Sequence, residues 1–450
     1  MKKRIILFCA LVTSFLSAHA HKNKFFKTTL SHYLTMDDAV EQALEHRPNL
    51  EALKFATYAN KSASKAELAE YYPKIRLDSS FTQQSHQDYP ANTTLLNTDQ
   101  LIYSFAGPLQ RYKRAKLVAE QTEAEREVQK NNVRLETEKA FLQAWLVQEQ
   151  QKTIASLARS ALHVFDKAKH EHQLELSDKS TWFKGVEDYG SSSSQVEQYT
   201  YNVASAYKRL EFLMGASISL LSNGSDGAAP SPSTHLSWHP EKVTAQHPLE
   251  TYYTHALRHR PERTQNEKKI AAEQQNIKIA QGLRLPTFTA NAQAGHVSFL
   301  GSVPLGSRSD SFHQFSVAMS WPLFDGLVNQ YQEQQAYANK VKEMLNQDQT
   351  ILTIKQEVQD RYFALAKALT ALKAQKLQYL RTNNDFERSK QEFEIGQISA
   401  VDFDVAKTTW QQAQLDWLAR NIDVALAERD LMFVCGYPTQ LMRNNHEIVS

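Results

Sequence analysis

The sequence predicts a mainly α-helical protein that also carries a membrane β-sheet, and three observations lead there. Across 450 residues there are only 13 Gly and 13 Pro, so helix-ending punctuation is sparse and long helices are expected. Apolar residues recur every seventh position along the stretch that follows Gly326. Four shorter stretches alternate apolar and polar side chains over roughly ten residues, the length a tilted strand needs to cross a bilayer. Composition narrows the class further. With 51 basic and 49 acidic side chains the formal charge is +2, which argues against a nucleic-acid partner. A mean hydropathy of −0.52 excludes a protein that spans the membrane with several apolar helices.

The first 20 residues read as an address. Lys2, Lys3 and Arg4 precede an apolar run from Ile5 to Leu16, which ends in Ala18-His19-Ala20. A basic start, a short apolar segment and small residues at the cleavage position describe a secretory signal peptide, residues 1–20, cut before His21. Cys9 leaves with it, so Cys435 is the only cysteine of the mature chain and no intrachain disulfide can form.

The remainder is written twice. Ala43-Leu44-Glu45-His46-Arg47-Pro48 recurs as Ala256-Leu257-Arg258-His259-Arg260-Pro261, and Pro73 answers Pro286 at the same offset. Phe105-Ala106-Gly107 answers Phe324-Asp325-Gly326, and Leu210 to Gly215 answers Leu431 to Gly436. A period this long is a duplicated domain rather than a solenoid. The first repeat is assigned to residues 21–221 and the second to 241–450. The Ser-, Gly-, Ala- and Pro-rich segment 222–240 is expected to be a linker.

Each repeat predicts the same order. A helix capped by Thr35 and Asp38 runs to about Tyr71 with a break at Pro48. Strands follow near Lys74–Gln84 and Thr93–Phe105, and in the second repeat near Pro286–Phe299 and Ser311–Leu323. Ile75, Leu77 and Phe81 share one face, as do Phe315, Val317, Met319 and Trp321, while Arg76, Asp78, Ser80, Gln314, Ser316 and Ser320 take the other. A very long helix, a tight turn and a shorter helix complete the repeat.

The long helix of the second repeat is the most informative element. Met344, Ile351, Val358, Leu365, Leu372, Tyr379, Phe386 and Phe393 form an unbroken heptad seam, which implies a left-handed coiled coil. Val128, Leu135 and Leu142 begin a similar seam in the first repeat. The distance from Gly326 to Ile395 is roughly 70 residues, or about 105 Å of helix. Four strands cannot close a membrane barrel alone, because open edges are not tolerated in lipid. Copies must therefore pool strands: two give eight, which leave no water-filled lumen, and three give twelve, which begin to enclose one. The alternative from a different class is a soluble periplasmic coiled-coil adaptor or scaffold.

This arrangement resembles the outer-membrane efflux protein family, the TolC-like exit ducts of Gram-negative bacteria. The resemblance rests on Leu34-Thr35-Met36-Asp37-Asp38-Ala39, Ala43-Leu44, Arg47-Pro48, Tyr72-Pro73 and Phe105-Ala106-Gly107. The second repeat adds Ala256-Leu257, Arg260-Pro261, Leu285-Pro286, Trp321-Pro322-Leu323-Phe324-Asp325-Gly326 and Phe393-Glu394-Ile395-Gly396. It implies a homotrimer with a twelve-stranded β-barrel, four strands per chain, continued by a long periplasmic α-helical barrel. It also implies a place in the outer membrane lipid, a periplasmic adaptor and an inner-membrane transporter as partners, and passive transport without cofactors. Drug efflux and type I protein secretion are both open to such a duct.

The resemblance also places the functional turns. The helix turns at the periplasmic tips fall at Glu394–Ser399 in the second repeat and at Leu176–Ser180 in the first. Ser177 stands where the family usually has glycine. Ile395, Gly396, Gln397, Ile398, Ser177 and Asp178 are the candidates for adaptor docking. Asp402 matches an aperture aspartate of the family; the second such position holds Val405, with Asp404 one residue earlier. Three copies of Asp402 and Asp404 around an axis would make a cation-attracting constriction. The plainer reading is that Asp402 caps a helix and Asp404 lies in its favourable first turn. The family's tip tyrosine is Phe393 here, and its arginine two residues past the glycine is Ile398. His170-Glu171-His172 and the His255/His259 pair invite a metal reading, but no third ligand is evident and no catalytic motif appears. Ser191–Ser194 reads as a weak point in a helix.

Overall fold

The computed structural model describes residues 33–82, 91–174, 178–216, 220–221, 231–232, 235–239, 247–299 and 309–436. The predicted cleavage site at His21 and the tip residue Ser177 lie outside them. In the first repeat the order is β1 (Tyr33–Thr35), α1 (Met36–His46), α2 (Pro48–Ala69), β2 (Lys74–Thr82), β3 (Ala91–Ser104), α3 (Pro108–Gln173) and α4 (Lys179–Met214). Short strands β4 (Leu220–Leu221), β5 (Ser231–Pro232) and β6 (His235–Ser237) follow. The second repeat continues with α5 (Leu249–His259), α6 (Pro261–Gly282), β7 (Thr287–Phe299), β8 (Ser309–Ser320), α7 (Val328–Glu394) and α8 (Ala400–Val434).

Local chemistry explains the boundaries. At the start of α1 the Thr35 hydroxyl accepts from the Asp38 backbone N–H while Asp38 accepts from that of Thr35, a reciprocal cap that satisfies two otherwise orphaned donors. Arg47 and Arg260 precede prolines and hold extended backbone, and this breaks α1 from α2 and α5 from α6 at equivalent points of the two repeats. The two long helices run 66 and 67 residues without a break. Ser191–Ser194 does not interrupt α4. The Ser192 hydroxyl donates 2.8 Å to the carbonyl of Asp188, one turn back, so the residue competes for the backbone without opening it.

The chain folds as two compact units, each drawn from both repeats. One holds residues 1–47, 133–242 and 368–429. Its core gathers Leu34, Phe141, Leu142, Trp145, Val203, Tyr207, Leu210, Met214, Leu236 and Ile422. Gln148 ties three elements there: its Oε1 accepts from the Tyr207 hydroxyl at 2.6 Å and from the Leu236 N–H at 3.1 Å. β6 pairs parallel with β1, and Trp238 meets Trp145 edge-on at 4.9 Å. Residues 235–239, expected within a linker, are thus packed onto a core, because Leu236 and Trp238 supply apolar area that a free linker would leave in water.

The other unit holds residues 48–132, 243–367 and 430–450. It contains one antiparallel sheet in the order β2-β3-β7-β8, so the two predicted hairpins join through β3 and β7. Register places Ile75, Leu77 and Phe81 on the same face as Leu96, Ala292, Ala294, Phe315, Val317 and Met319. Ile75, Leu77, Phe315, Val317 and Met319 are all exposed, Phe315 to 73%. The opposite face carries Arg76, Asp78, Asn97, Asp99, Asn291, Gln293 and Gln314. Asp78 accepts from Arg76 Nε at 2.8 Å and from Asn97 Nδ2 at 2.7 Å, and Asp99 accepts from Asn291 Nδ2 at 2.6 Å. The outer edges of β2 and β8 have no strand beside them among the described residues.

Heptad positions are satisfied unevenly. Val358 and Leu365 are fully buried, whereas Met344 is exposed, as are Leu345, Leu352, Phe363 and Leu377 along the same helix. The seam expected at Met344 therefore lacks a cover within this single chain.

Candidate functional site: the helix-hairpin tips

The turn between α7 and α8 closes as a Schellman motif. Gly396 holds φ +75° and donates to the Phe393 carbonyl at 3.0 Å, and Gln397 N–H donates to that of Glu392 at 2.8 Å. Ser399 then caps α8. Its oxygen accepts from the Asp402 N–H at 3.2 Å, and its hydroxyl donates to Asp402 Oδ2 at 2.7 Å. Ile395 is 68% exposed, Gly396 and Gln397 are exposed, and Ile398 is half-buried.

Asp402 and Asp404 are not brought together. Two residues apart on a helix, they face in nearly opposite directions. Asp402 is exposed, with one oxygen engaged in the cap. Asp404 is half-buried and turned toward α3, where His163 and Lys167 act on it, as does Lys407 of its own helix. Burial is the larger effect and raises its carboxyl above the usual carboxylate range; the nearby cations oppose it. The same face of α8 is pinned to α3. Lys407 Nζ donates to Ser160 Oγ at 2.7 Å, and Gln411 Nε2 donates to Ser156 Oγ at 2.6 Å.

Above the turn the hairpin is closed by stacked rings. Phe393 lies over Phe403 (4.9 Å, 13°), Phe386 over Trp410 (4.7 Å, 7°) and Tyr379 over Trp417 (5.3 Å, 17°). Both strings step by seven residues, so each heptad adds one aromatic rung. The α3–α4 hairpin repeats the device with Phe165 on Tyr189 (5.4 Å, 16°) and His172 on Trp182 (5.3 Å, 13°). Its tip begins α4 with Asp178 as an N-cap that makes no side-chain cap bond. The sequence signal for the ladder is the heptad spacing of Trp410 and Trp417, across the turn from Tyr379, Phe386 and Phe393, which the apolar seam of α7 alone does not reveal. Val401 and Val405, exposed beside Asp402, extend the apolar surface of the tip beyond the docking candidates.

A second pair of sites repeats between the halves. Arg47 bonds Glu136 at 2.9 Å and lies over the Phe212 ring. Arg260, only 7% exposed, bonds Glu262 at 2.7 Å and also Glu357. Each arginine ties a proline break to a long helix of its own unit. The histidines are engaged in packing. His255 Nδ1 donates to the Cys435 carbonyl at 3.1 Å, and its ring stacks on His259 at 4.1 Å. Among the described residues no three His, Cys, Asp or Glu side chains are grouped to hold a metal ion.

Long helices paired as hairpins and a four-stranded sheet, apolar on one face and polar on the other, make up the fold seen in TolC-like outer-membrane channels. Residues 252–437 match the family described as Outer membrane efflux protein. The fold is shared over nearly the whole length with solved channels. CusC, whose structures concern folding and transmembrane channel formation, aligns with a TM-score of 0.70 at 15% identity, covering 90% of this chain and 92% of that one. The Campylobacter jejuni CmeC outer membrane channel aligns at 0.69 with 15% identity, covering 89% and 85%. The open state of the Neisseria gonorrhoeae MtrE outer membrane channel aligns at 0.67 with 14% identity, covering 93% and 95%. Among curated proteins no match was found.

Proposed function

We propose that three copies of this chain form a passive exit duct across the outer membrane of a Gram-negative bacterium, reached through the leader of residues 1–20. The observation that carries this is the sheet. It has an exposed apolar face, a hydrogen-bonded polar face and, among the described residues, two edges with no strand beside them, which pooling of copies would satisfy in lipid. A soluble periplasmic scaffold has no use for such a face. The exposed apolar positions along α7, Met344 among them, fit burial against a neighbouring copy. The duct would serve a tripartite efflux pump or a type I secretion system, with a periplasmic adaptor seated on the tip turns Ile395, Gly396, Gln397, Ile398 and Asp178 and an inner-membrane transporter below.

In this reading Asp402 faces the threefold axis as a carboxylate ring, while Asp404 lies on the α3 side of α8, near His163 and Lys167. The detergent-corrected mass of protein extracted from membranes tests the assembly. Three chain masses are expected; a monomer or dimer that needs no detergent would return the scaffold. Asp402→Ala tests the ring in a bilayer, where lower cation preference is expected and unchanged conductance with unchanged selectivity would remove Asp402 from the gate.

A further inference from the structure

We infer that Leu95 and Phe312 form an apolar collar inside the barrel that favours cargo carrying aromatic or aliphatic surface. The inference rests on the duct reading, in which the polar face of the sheet lines the pore. On that face, successive cross-strand rows read Arg76–Asn97–Gln293–Gln314 and then Asp78–Leu95–Gly295–Phe312. The second row breaks the polar pattern with two large apolar side chains on either side of a glycine. A Cβ at position 295 would stand 2.6 Å from Leu95 Cδ2 and 2.6 Å from Phe312 Cζ. Both side chains therefore lean over the bare backbone of β7 and occupy the space a side chain there would take.

A wall of hydrated polar groups offers an apolar solute nothing in exchange for its own hydration. An aliphatic and an aromatic side chain held together offer contact area, and the ring face also attracts organic cations. Asp78, in the same row, is paired with Arg76 and Asn97, so its charge is balanced on the same face and the patch is read through its apolar area and its ring. Threefold pooling turns the patch into a ring of three such steps, the arrangement suited to a solute with aromatic or aliphatic surface rather than to a small hydrated ion.

Block of potassium current through the full-length protein in a planar bilayer tests this, with tetraphenylphosphonium and tetramethylammonium as probes of equal charge. Wild type should be blocked by the aromatic cation at lower concentration than by the small one. Phe312→Ser should raise the half-blocking concentration of tetraphenylphosphonium roughly tenfold and leave tetramethylammonium unchanged, as expected for loss of one good aromatic contact per site. Leu95→Ser, on another strand, should move it in the same direction, and Phe312→Tyr should restore block. A residue that merely covered Gly295 would alter stability and leave the block untouched. Equal block in wild type and Phe312→Ser overturns the collar. A wild type that passes no current overturns the duct reading, and the collar with it.

Discussion

Asp404 carries a charge that its surroundings disfavour, and the sign of the effect can be worked out. Its folded-state carboxyl titrates above the ordinary value, chiefly through burial. Between the ordinary and raised values the folded chain binds more protons than the unfolded one, so stability falls as pH rises through that window. Thermal midpoints of extracted protein across the acid range should show this decline, and Asp404→Asn should flatten it. Cys435 gives a second outcome at this scale. Burial pushes its thiol up to about 12, so it is closed to thiolate chemistry at neutral pH. An aromatic disulfide reagent should find no reactive thiol in the native mature protein and one after denaturation. The capping of Asp402 was legible from Ser399 three residues before it. The surroundings of Asp404 were not, since His163 and Lys167 lie more than two hundred positions away in the chain.

The hairpins show what heptad spacing encodes beyond length. Sequence periodicity places Tyr379, Phe386 and Phe393 on one seam, and the structure supplies their partners at Trp417, Trp410 and Phe403. The pairing was hidden because an antiparallel partner reads backward through a turn, and neither string identifies the other on its own. Phe386, stacked between Trp410 and Phe403, is the middle rung. Phe386→Ala should loosen the tip by about 2 kcal/mol, less than a fully buried phenylalanine because the ring is only half-covered. Limited trypsin digestion should then cut at Arg388 and Lys390 before the rest of the chain. Gly396→Ala forces a Cβ into the left-handed region at about 1 kcal/mol. It should weaken the same turn less than the lost ring does.

Across the molecule, the strands were legible from period-two alternation to within a few residues of their ends, and the proline breaks from Arg-Pro repeated in both halves. The joining of β3 to β7 was not, because it is a pairing between residues nearly two hundred positions apart that no local pattern encodes. Nor was the folding of both repeats into each compact unit, which only tertiary packing decides. The two faces of the sheet yield an outcome that separates them. Phe315→Arg, on the exposed apolar face, should cost about 2–4 kcal/mol near mid-bilayer and sharply reduce the oligomer recovered from membranes. Gln314→Arg, its neighbour on the polar face, should be tolerated.

The edges of β2 and β8, which have no strand beside them among the described residues, also bear on how a pooled duct would be made. Helical hairpins that satisfy their own backbone can fold in water, but a strand edge entering lipid must already have a companion chain. In the proposed trimeric duct, newly exported molecules would wait with folded rods and an unfinished sheet until they collide. Insertion would then be of order higher than one in chain concentration: halving the export rate should lengthen each chain's wait for partners, leaving fewer finished ducts and a larger fraction of unassembled chains.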